Sequence, residues 1–218
     1  MDGIPLVPPA TLASLLVGGL VAGGLVLIAP ALFIVAIYNN LRRLEVRARN
    51  AFSQIDVQLK RRFDLVPNLV ESVKGAMAHE RSTLEAVIAA RARAAGALGV
   101  VHQGAMEGAM GGAMGVAAMG ALANAAGALD GAVGRLIGLV ERYPELQANE
   151  NALALQQELA STENRIAFAR QAYNDAVMRL NESIVVFPSS LVARWFRIGE
   201  MGLFEASAGE REAVAVRF

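Results

Sequence analysis

His79-Glu80-Arg81-Ser82-Thr83 opens like the HExxH motif, in which two histidines one helical turn apart hold zinc and the glutamate acts as a base. Thr83 stands where the second histidine is required, so the metal pair is missing. The only other histidine, His102, lies in a glycine-rich stretch with no carboxylate pattern around it. The chain has no cysteine, which excludes disulfide frameworks, thiolate-held zinc or iron–sulfur clusters and thiol catalysis. No GxSxG nucleophile elbow, Walker motif or GxGxxG turn is present. Glu71, Glu80 and Glu85 sit close to Lys74 and Arg81 at the offsets of ion pairs on a helix surface. The pattern predicts no catalytic, cofactor-binding or metal-ligating residues, and Glu150 and Asp64 are the only acid/base candidates that merit substitution.

The unusual residues are polar groups set inside strong helical patterns. In the first half these are Gln54, Asp56, Gln58 and Asn68, and in the second Asn149, Glu150, Asn151, Thr162, Glu163, Asn164, Arg165 and Asn174. Gln156, Glu163 and Arg170 occupy seam positions where a simple coil takes aliphatic side chains. If buried they need partners, and Lys60, Arg61, Arg62 and Asp64 on the first helix are available. The alternative is that they face solvent at a wide bundle edge.

The elements that must position these groups follow from hydropathy. The 218 residues are 55% apolar and only 18% charged, with a mean hydropathy of +0.41, which is more apolar than a typical cytosolic protein and far from the composition of disorder. Lys+Arg and Asp+Glu both number 20, so no basic excess points to nucleic acid. Thr11 to Tyr38 is an uncharged run of 28 residues, beyond the roughly 20 needed to cross a bilayer. Arg42, Arg43, Arg47 and Arg49 follow it and nothing basic precedes. The positive-inside rule then puts the N-terminus outside and the rest in the cytoplasm. A start of Met1-Asp2-Gly3 and the length of the run argue for a retained anchor over a cleaved signal peptide. Gly19 and Gly23 form a small-xxx-small pair through which anchors can pack, although glycine is common in spans.

From Leu41, apolar residues recur at Leu44, Ala48, Phe52, Ile55, Leu59, Phe63, Val66, Val70, Val73, Met77, Leu84 and Val87, the stripe of a long amphipathic helix. It predicts a stalk continuous with the span, kinked at Pro67 and irregular at Gly75. A second long helix is expected after Tyr143-Pro144, from about Leu146 to Ile184, with Leu159, Ile166, Tyr173 and Leu180 seven apart. Phe187-Pro188 ends it, and Ser189 or Ser190 can cap a short amphipathic helix through Leu191, Trp195 and Phe196. The tail, 199–218, is too short to assign. Between the long helices, 96–138 repeats Gly-Ala-Met at Gly104, Gly108 and Gly112 with Met106, Met110 and Met114. It reads as a linker, as a helix whose small face approaches a neighbour while Met fills gaps, or as a second membrane segment at 108–129.

Charge is distributed by segment: net +5 over 41–98, −1 over 99–138 and −3 over 139–218. Opposite charges favour pairing of the two long helices, and the basic membrane-proximal half can also meet anionic headgroups.

Tyr38-Asn39 and the run Ala51-Phe52-Ser53-Gln54-Ile55-Asp56-Val57-Gln58-Leu59-Lys60-Arg61-Arg62-Phe63-Asp64-Leu65-Val66-Pro67-Asn68-Leu69-Val70-Glu71 resemble the signature of the LemA family of bacterial membrane-anchored proteins. Tyr143-Pro144, Ala148-Asn149-Glu150-Asn151, Thr162-Glu163-Asn164-Arg165-Ile166-Ala167, Ala169-Arg170, Tyr173-Asn174 and Phe187-Pro188 follow that pattern in order. The resemblance covers roughly 38–205 and departs in the Gly/Ala/Met stretch. It implies a short N-terminal segment, one span and a long antiparallel helical domain without an assigned catalytic activity. Family members are linked with membrane proteases and membrane organisation, including magnetosome biogenesis. Glu163 and Arg165 would then knit the last helix to the motif around Gln54 to Glu71, or that motif would form a docking surface.

The expected architecture is all-α: a segment 1–10, a transmembrane helix 11–38, a helical domain 39–198 carrying the 96–138 insert, and the tail. The expected function is a non-enzymatic scaffold at the bacterial cytoplasmic membrane that self-associates and organises membrane or recruits partners. The rivals are a pore component with a second crossing at 108–129 and an accessory subunit of a membrane protease.

Overall fold

The computed structural model describes residues 9–106, 110–147 and 149–205, with side-chain surroundings from residue 28 onward, Glu145 and Gln147 aside. The described residues are all-α, with no β-strand among them. The helices are α1 (Pro9–Lys74), α2 (Arg81–Met106), α3 (Ala113–Val140), the single turn α4 (Pro144–Gln147), α5 (Glu150–Val185) and α6 (Ser189–Trp195).

At 1.5 Å per residue, the 66 residues of α1 extend about 100 Å. The early part carries exposed apolar side chains, among them Ile28, Leu32, Phe33 and Val35. From Leu41 the expected stripe turns inward: Ala48, Phe52, Ile55, Leu59, Phe63, Val66 and Val73 are all buried. Most of the expected span, Thr11 to Leu27 with Gly19 and Gly23, is helical, but its surroundings lie outside the described side chains.

α1 continues through Pro67, and a side chain from a neighbouring helix meets the carbonyl that the proline leaves without its helical donor. Proline has no amide hydrogen, so the carbonyl four residues back loses its helical donor. That carbonyl belongs to Phe63, and Arg91 of α2 donates to it from Nε at 3.0 Å. α2 thus supplies the hydrogen bond that the proline removes.

Beyond Lys74 the continuous stalk is corrected. Gly75 to His79 form a turn, and α2 returns along α1, so that Arg91 meets Phe63 and His102 meets Asp56. Met77, Leu84 and Val87 are buried as the stripe requires, but the last two belong to a different helix. The phase survives the reversal because both helices face one core.

The 96–138 stretch is neither linker nor one helix. α2 and α3 pair along their lengths, with Ala90 and Ala94 of α2 and Ala123, Ala126 and Ala132 of α3 in the buried seam. The glycines do not make that close approach: a Cβ at Gly96, Gly99, Gly104, Gly134 or Gly138 would meet nothing within 4 Å. The Gly-Ala-Met repeat runs from the last turn of α2 to the first residues of α3. Gly112 has φ +84, in the left-handed region that glycine alone adopts freely. Met110 is buried, while Met106 and Met114 are exposed. Gly108 lies outside the described residues. By length and composition α3 could cross a membrane, yet Leu122, Ala126, Leu129, Val133 and Leu136 are in the core.

α5 packs along the charged half of α1, with Arg61 against Glu158 and Phe52 against Tyr173, so residue numbers rise on one helix as they fall on the other. It starts four residues later than expected, because Asn149 caps it by accepting from the amides of Asn151 and Ala152 at 3.1 and 3.2 Å. Ser189 is the first residue of α6 and not its side-chain cap. Its hydroxyl turns back to the end of α5, toward the carbonyls of Ser183 at 2.6 Å and Val186 at 2.8 Å.

Candidate functional site

Among the described residues one charged side chain is deeply buried. Arg62 is 2% exposed and sits on α1 beside the seam residue Phe63. Burial of a guanidinium is tolerated only with partners, and these come from two other helices. Arg62 Nη1 pairs with Asp130 Oδ1 of α3, and Nη2 lies 3.8 Å from Glu163 Oε2 of α5. The second oxygen of Asp130 accepts from Arg170 Nη2 at 3.3 Å, and the Arg170 guanidinium lies 4.8 Å from the centre of the Phe204 ring. The layer thus joins α1, α3, α5 and the tail. A cleft of about 410 Å³ opens over it, lined also by Gln171, Asn174 and Asp175.

Closer to the α2–α3 connection, Asp56 bridges α1 to α2. It accepts from Lys60 at 2.9 Å and lies 3.0 Å from His102 Nε2. His102 also meets the edge of Phe52, with ring centres 6.4 Å apart.

The third arrangement holds the tail. Residues 198–205 run extended beside α5, burying Ile198, Met201 and Phe204. The side-chain amide of Asn181 accepts from the Met201 N–H and donates to its C=O, both at 2.9 Å. Asn174 does the same to Phe204, at 2.8 and 3.1 Å. Each asparagine replaces the pair of hydrogen bonds that a neighbouring strand would make. The spacing fits: seven helical residues rise about 10.5 Å and three extended residues about 10 Å. Between them the Tyr173 hydroxyl donates to the Gly202 carbonyl at 2.7 Å, and burial pushes the Tyr173 phenol well above its ordinary value. On the other side Gly112 N–H donates to Glu200 O at 2.7 Å. A Cβ on Gly202 would come within 2.8 Å of Val116 Cα.

Residues 51–218, which contain every part of these three arrangements, match the LemA family. The chain belongs to the LemA family. No curated protein matches it.

In this LemA chain the sequence-predicted residues divide into those that join helices and those that face outward. Arg62 and Glu163 approach to 3.8 Å, although Glu163 itself is exposed; Arg170 finds its partner not on α1, as expected, but in Asp130 of α3, and Tyr173 is fully buried. Arg61 is exposed and reaches Glu158. Lys60 stays on its own helix with Asp56. Gln54, Asp64, Asn68, Glu150, Asn151, Asn164 and Arg165 are exposed. The expected knitting by Arg165 is therefore corrected: among the described residues it forms no ion pair with α1, because its position on α5 points away from the seam. Gln156 is half-buried, and the seam instead uses Thr162, whose hydroxyl donates to the Glu158 carbonyl at 2.8 Å.

Asp130, His102, Arg91, Asn181 and Phe204 were missed as members of these arrangements. Asp130 carries the clearest signal in retrospect, as a lone acid at the end of an apolar, glycine-rich run. For the tail, the signal was two asparagines seven apart on α5 with apolar residues three apart at 198, 201 and 204. Chemically, the layer offers paired guanidinium and carboxylate groups without a nucleophile beside them. Among the described residues no three His, Asp or Glu side chains lie close enough to hold a metal ion.

Proposed function

We propose that this LemA chain is a non-enzymatic, membrane-anchored scaffold: an antiparallel helical rod carried on a single N-terminal span, which self-associates and presents its cytoplasmic helices to membrane proteins. The observation that carries the proposal is the continuity of α1. One helix contains the charge-free run from Thr11 to Tyr38 and then, without interruption, the seam from Leu41 to Val73. A rod built this way transmits its orientation from the bilayer to its far end, because no loop separates them.

The arrangement of α3 supports a single crossing. Its apolar face is shared with α2 and the core, and Asp130 at its middle is engaged by Arg62 and Arg170. Removing α3 to lipid would strand Arg62 inside the bundle. Exposed polar groups of the family-like runs, Gln54, Asp64, Asn68, Glu150, Asn151, Asn164 and Arg165, are available for partners. Self-association draws on Gly19 and Gly23 in the anchor and on exposed Met106 and Met114 at the α2–α3 connection.

The test is light scattering of the full chain in mild detergent, with crosslinking in native membranes. A defined oligomer in both supports the scaffold. A strictly monomeric chain in both removes self-association from it.

A further inference from the structure

α5 runs back along α1, so its C-terminal end is the end nearest the apolar run of α1. There the chain turns, and α6 leaves α5 at 93°. Since α5 lies along α1, α6 lies crosswise to α1. Its inner face is settled: Val192 and Ala193, with Ile198 just beyond, pack against Ile34, Ile37, Tyr38 and Leu41 of α1. This contact, from Ile34 to Leu41, overlaps the end of the exposed apolar cluster Ile28, Leu32, Phe33 and Val35 and precedes the first cations of α1, Arg42 and Arg43.

The outer face is unlike the rest of the surface. Val185, Val186 and Phe187 at the elbow, then Leu191, Trp195 and Phe196, are exposed, with Phe187 and Trp195 each at 75%. Six large apolar side chains within twelve residues form a patch of the kind that marks an interaction surface. Arg194 and Arg197 are exposed among them, and Arg42 is joined to the patch through Tyr38, whose ring lies 4.5 Å from that of Phe196. The acid closest on α1, Glu45, is occupied by Arg42 and Arg49, both at 2.6 Å. Glu182 and Glu200 are exposed on either side of the segment.

We propose that the elbow and α6 form a second, in-plane contact with the membrane. Phe187, Leu191 and Trp195 sink into the boundary between headgroups and acyl chains, and Arg194 and Arg197 meet anionic lipid phosphates. Three features favour lipid over a protein occupant. The patch is continuous with the apolar surface of α1. The crosswise direction of α6 is parallel to a bilayer that α1 crosses. The mixture of aromatic and arginine side chains is that of an interfacial helix. Two contacts, one along the membrane normal and one in its plane, would fix the rotation of the rod as well as its position. The inference rests on α1 spanning the bilayer.

Trp195 is the only tryptophan in the chain, so its fluorescence reports the patch without a label. The full chain is reconstituted into vesicles of phosphatidylcholine with or without phosphatidylglycerol, floated on a density gradient, and titrated with aqueous iodide or prepared with lipids brominated on the upper acyl chain. Insertion of roughly 5–10 Å predicts quenching of about half the emission by brominated lipid, little by iodide, and a further blue shift with phosphatidylglycerol. In the Arg194→Gln/Arg197→Gln variant the response to phosphatidylglycerol is lost. Chain that floats but is quenched by iodide and not by brominated lipid overturns the inference while leaving the anchor intact. Chain that floats and is quenched by neither overturns it in favour of a second copy covering the patch. Chain that fails to float overturns the anchor itself, and the inference with it.

Discussion

Arg91 repairs the helix that Pro67 would otherwise break, and the pair can be dissected by a double-mutant cycle. In Arg91→Met the stem that packs along α1 is largely kept, but the Phe63 carbonyl loses the donor now at 3.0 Å. Phe63 is 4% exposed, so water has poor access to replace that donor. An unpaired buried carbonyl costs about 1–3 kcal/mol, and half-burial of Arg91 places the loss near the middle of that range, about 2 kcal/mol. For a chain of this size that lowers Tm by roughly 4–8 °C. Pro67→Ala supplies an amide hydrogen to the same carbonyl, so in its presence Arg91→Met should cost only about 0.5 kcal/mol, the residue of lost packing. Thermal unfolding of the parent, the two single variants and the double variant, followed by helical circular dichroism in one detergent, should give a coupling of about 1.5 kcal/mol. If Arg91→Met costs the same in the parent and in the Pro67→Ala background, within about 0.5 kcal/mol, the repair is refuted.

The polar layer makes a similar expectation: Asp130→Leu leaves Arg62, 2% exposed, with only Glu163 at 3.8 Å, a loss of about 3–5 kcal/mol that Arg62→Met should largely reverse in the double variant. Denaturant unfolding of single and double variants checks it. For the tail, Asn181→Ala removes two hydrogen bonds and Gly202→Ala drives a Cβ toward Val116; each should cost about 1–3 kcal/mol and speed proteolysis after residue 196 while α1 to α5 stay folded. Tyr173 has its folded pKa raised by burial, so its contribution to stability is complete below the ordinary phenol value of about 10 and is lost as pH rises beyond it. The fall in Tm above that pH should be shallower in Tyr173→Phe, and tyrosinate absorbance of the folded chain should show Tyr173 ionising only with unfolding.

Periodicity revealed the core more faithfully than the path of the chain. Every member of the expected stripe from Leu41 to Val87 is buried except half-buried Leu44. The reversal at Gly75 was hidden because α1 and α2 present the same phase to one core, and the turn needs only one glycine and no proline. At Pro67 the compensating donor was equally hidden, since Arg91 lies far away in sequence. On α5 the positions seven apart at Leu159, Ile166, Tyr173 and Leu180 are correct and the second seam row holds at Val177, but toward the start of the helix the buried position is Thr162 and not Glu163. Half of the charged layer was legible as helix polarity that needed partners. Asp130 was not, because its partners sit 68 residues before and 40 residues after it. The glycines of α2 and α3 read as a close-approach face, yet alanines fill that seam and the glycines lie open.

A single span continuous with one rod places every helix after the span on one side of the membrane. The absence of cysteine makes this directly measurable with single cysteines at Asp2, Glu71 and Arg142 in the full chain, labelled in native membranes by an impermeant maleimide. Glu71 lies in the last turn of α1 and Arg142 follows α3, so a rod with one crossing keeps both on the inner face. The Asp2 position alone should react from outside, with the other two reacting only after the membrane is opened. Labelling of the Arg142 position from outside while the Glu71 position stays protected would contradict it, because α3 would then cross the bilayer.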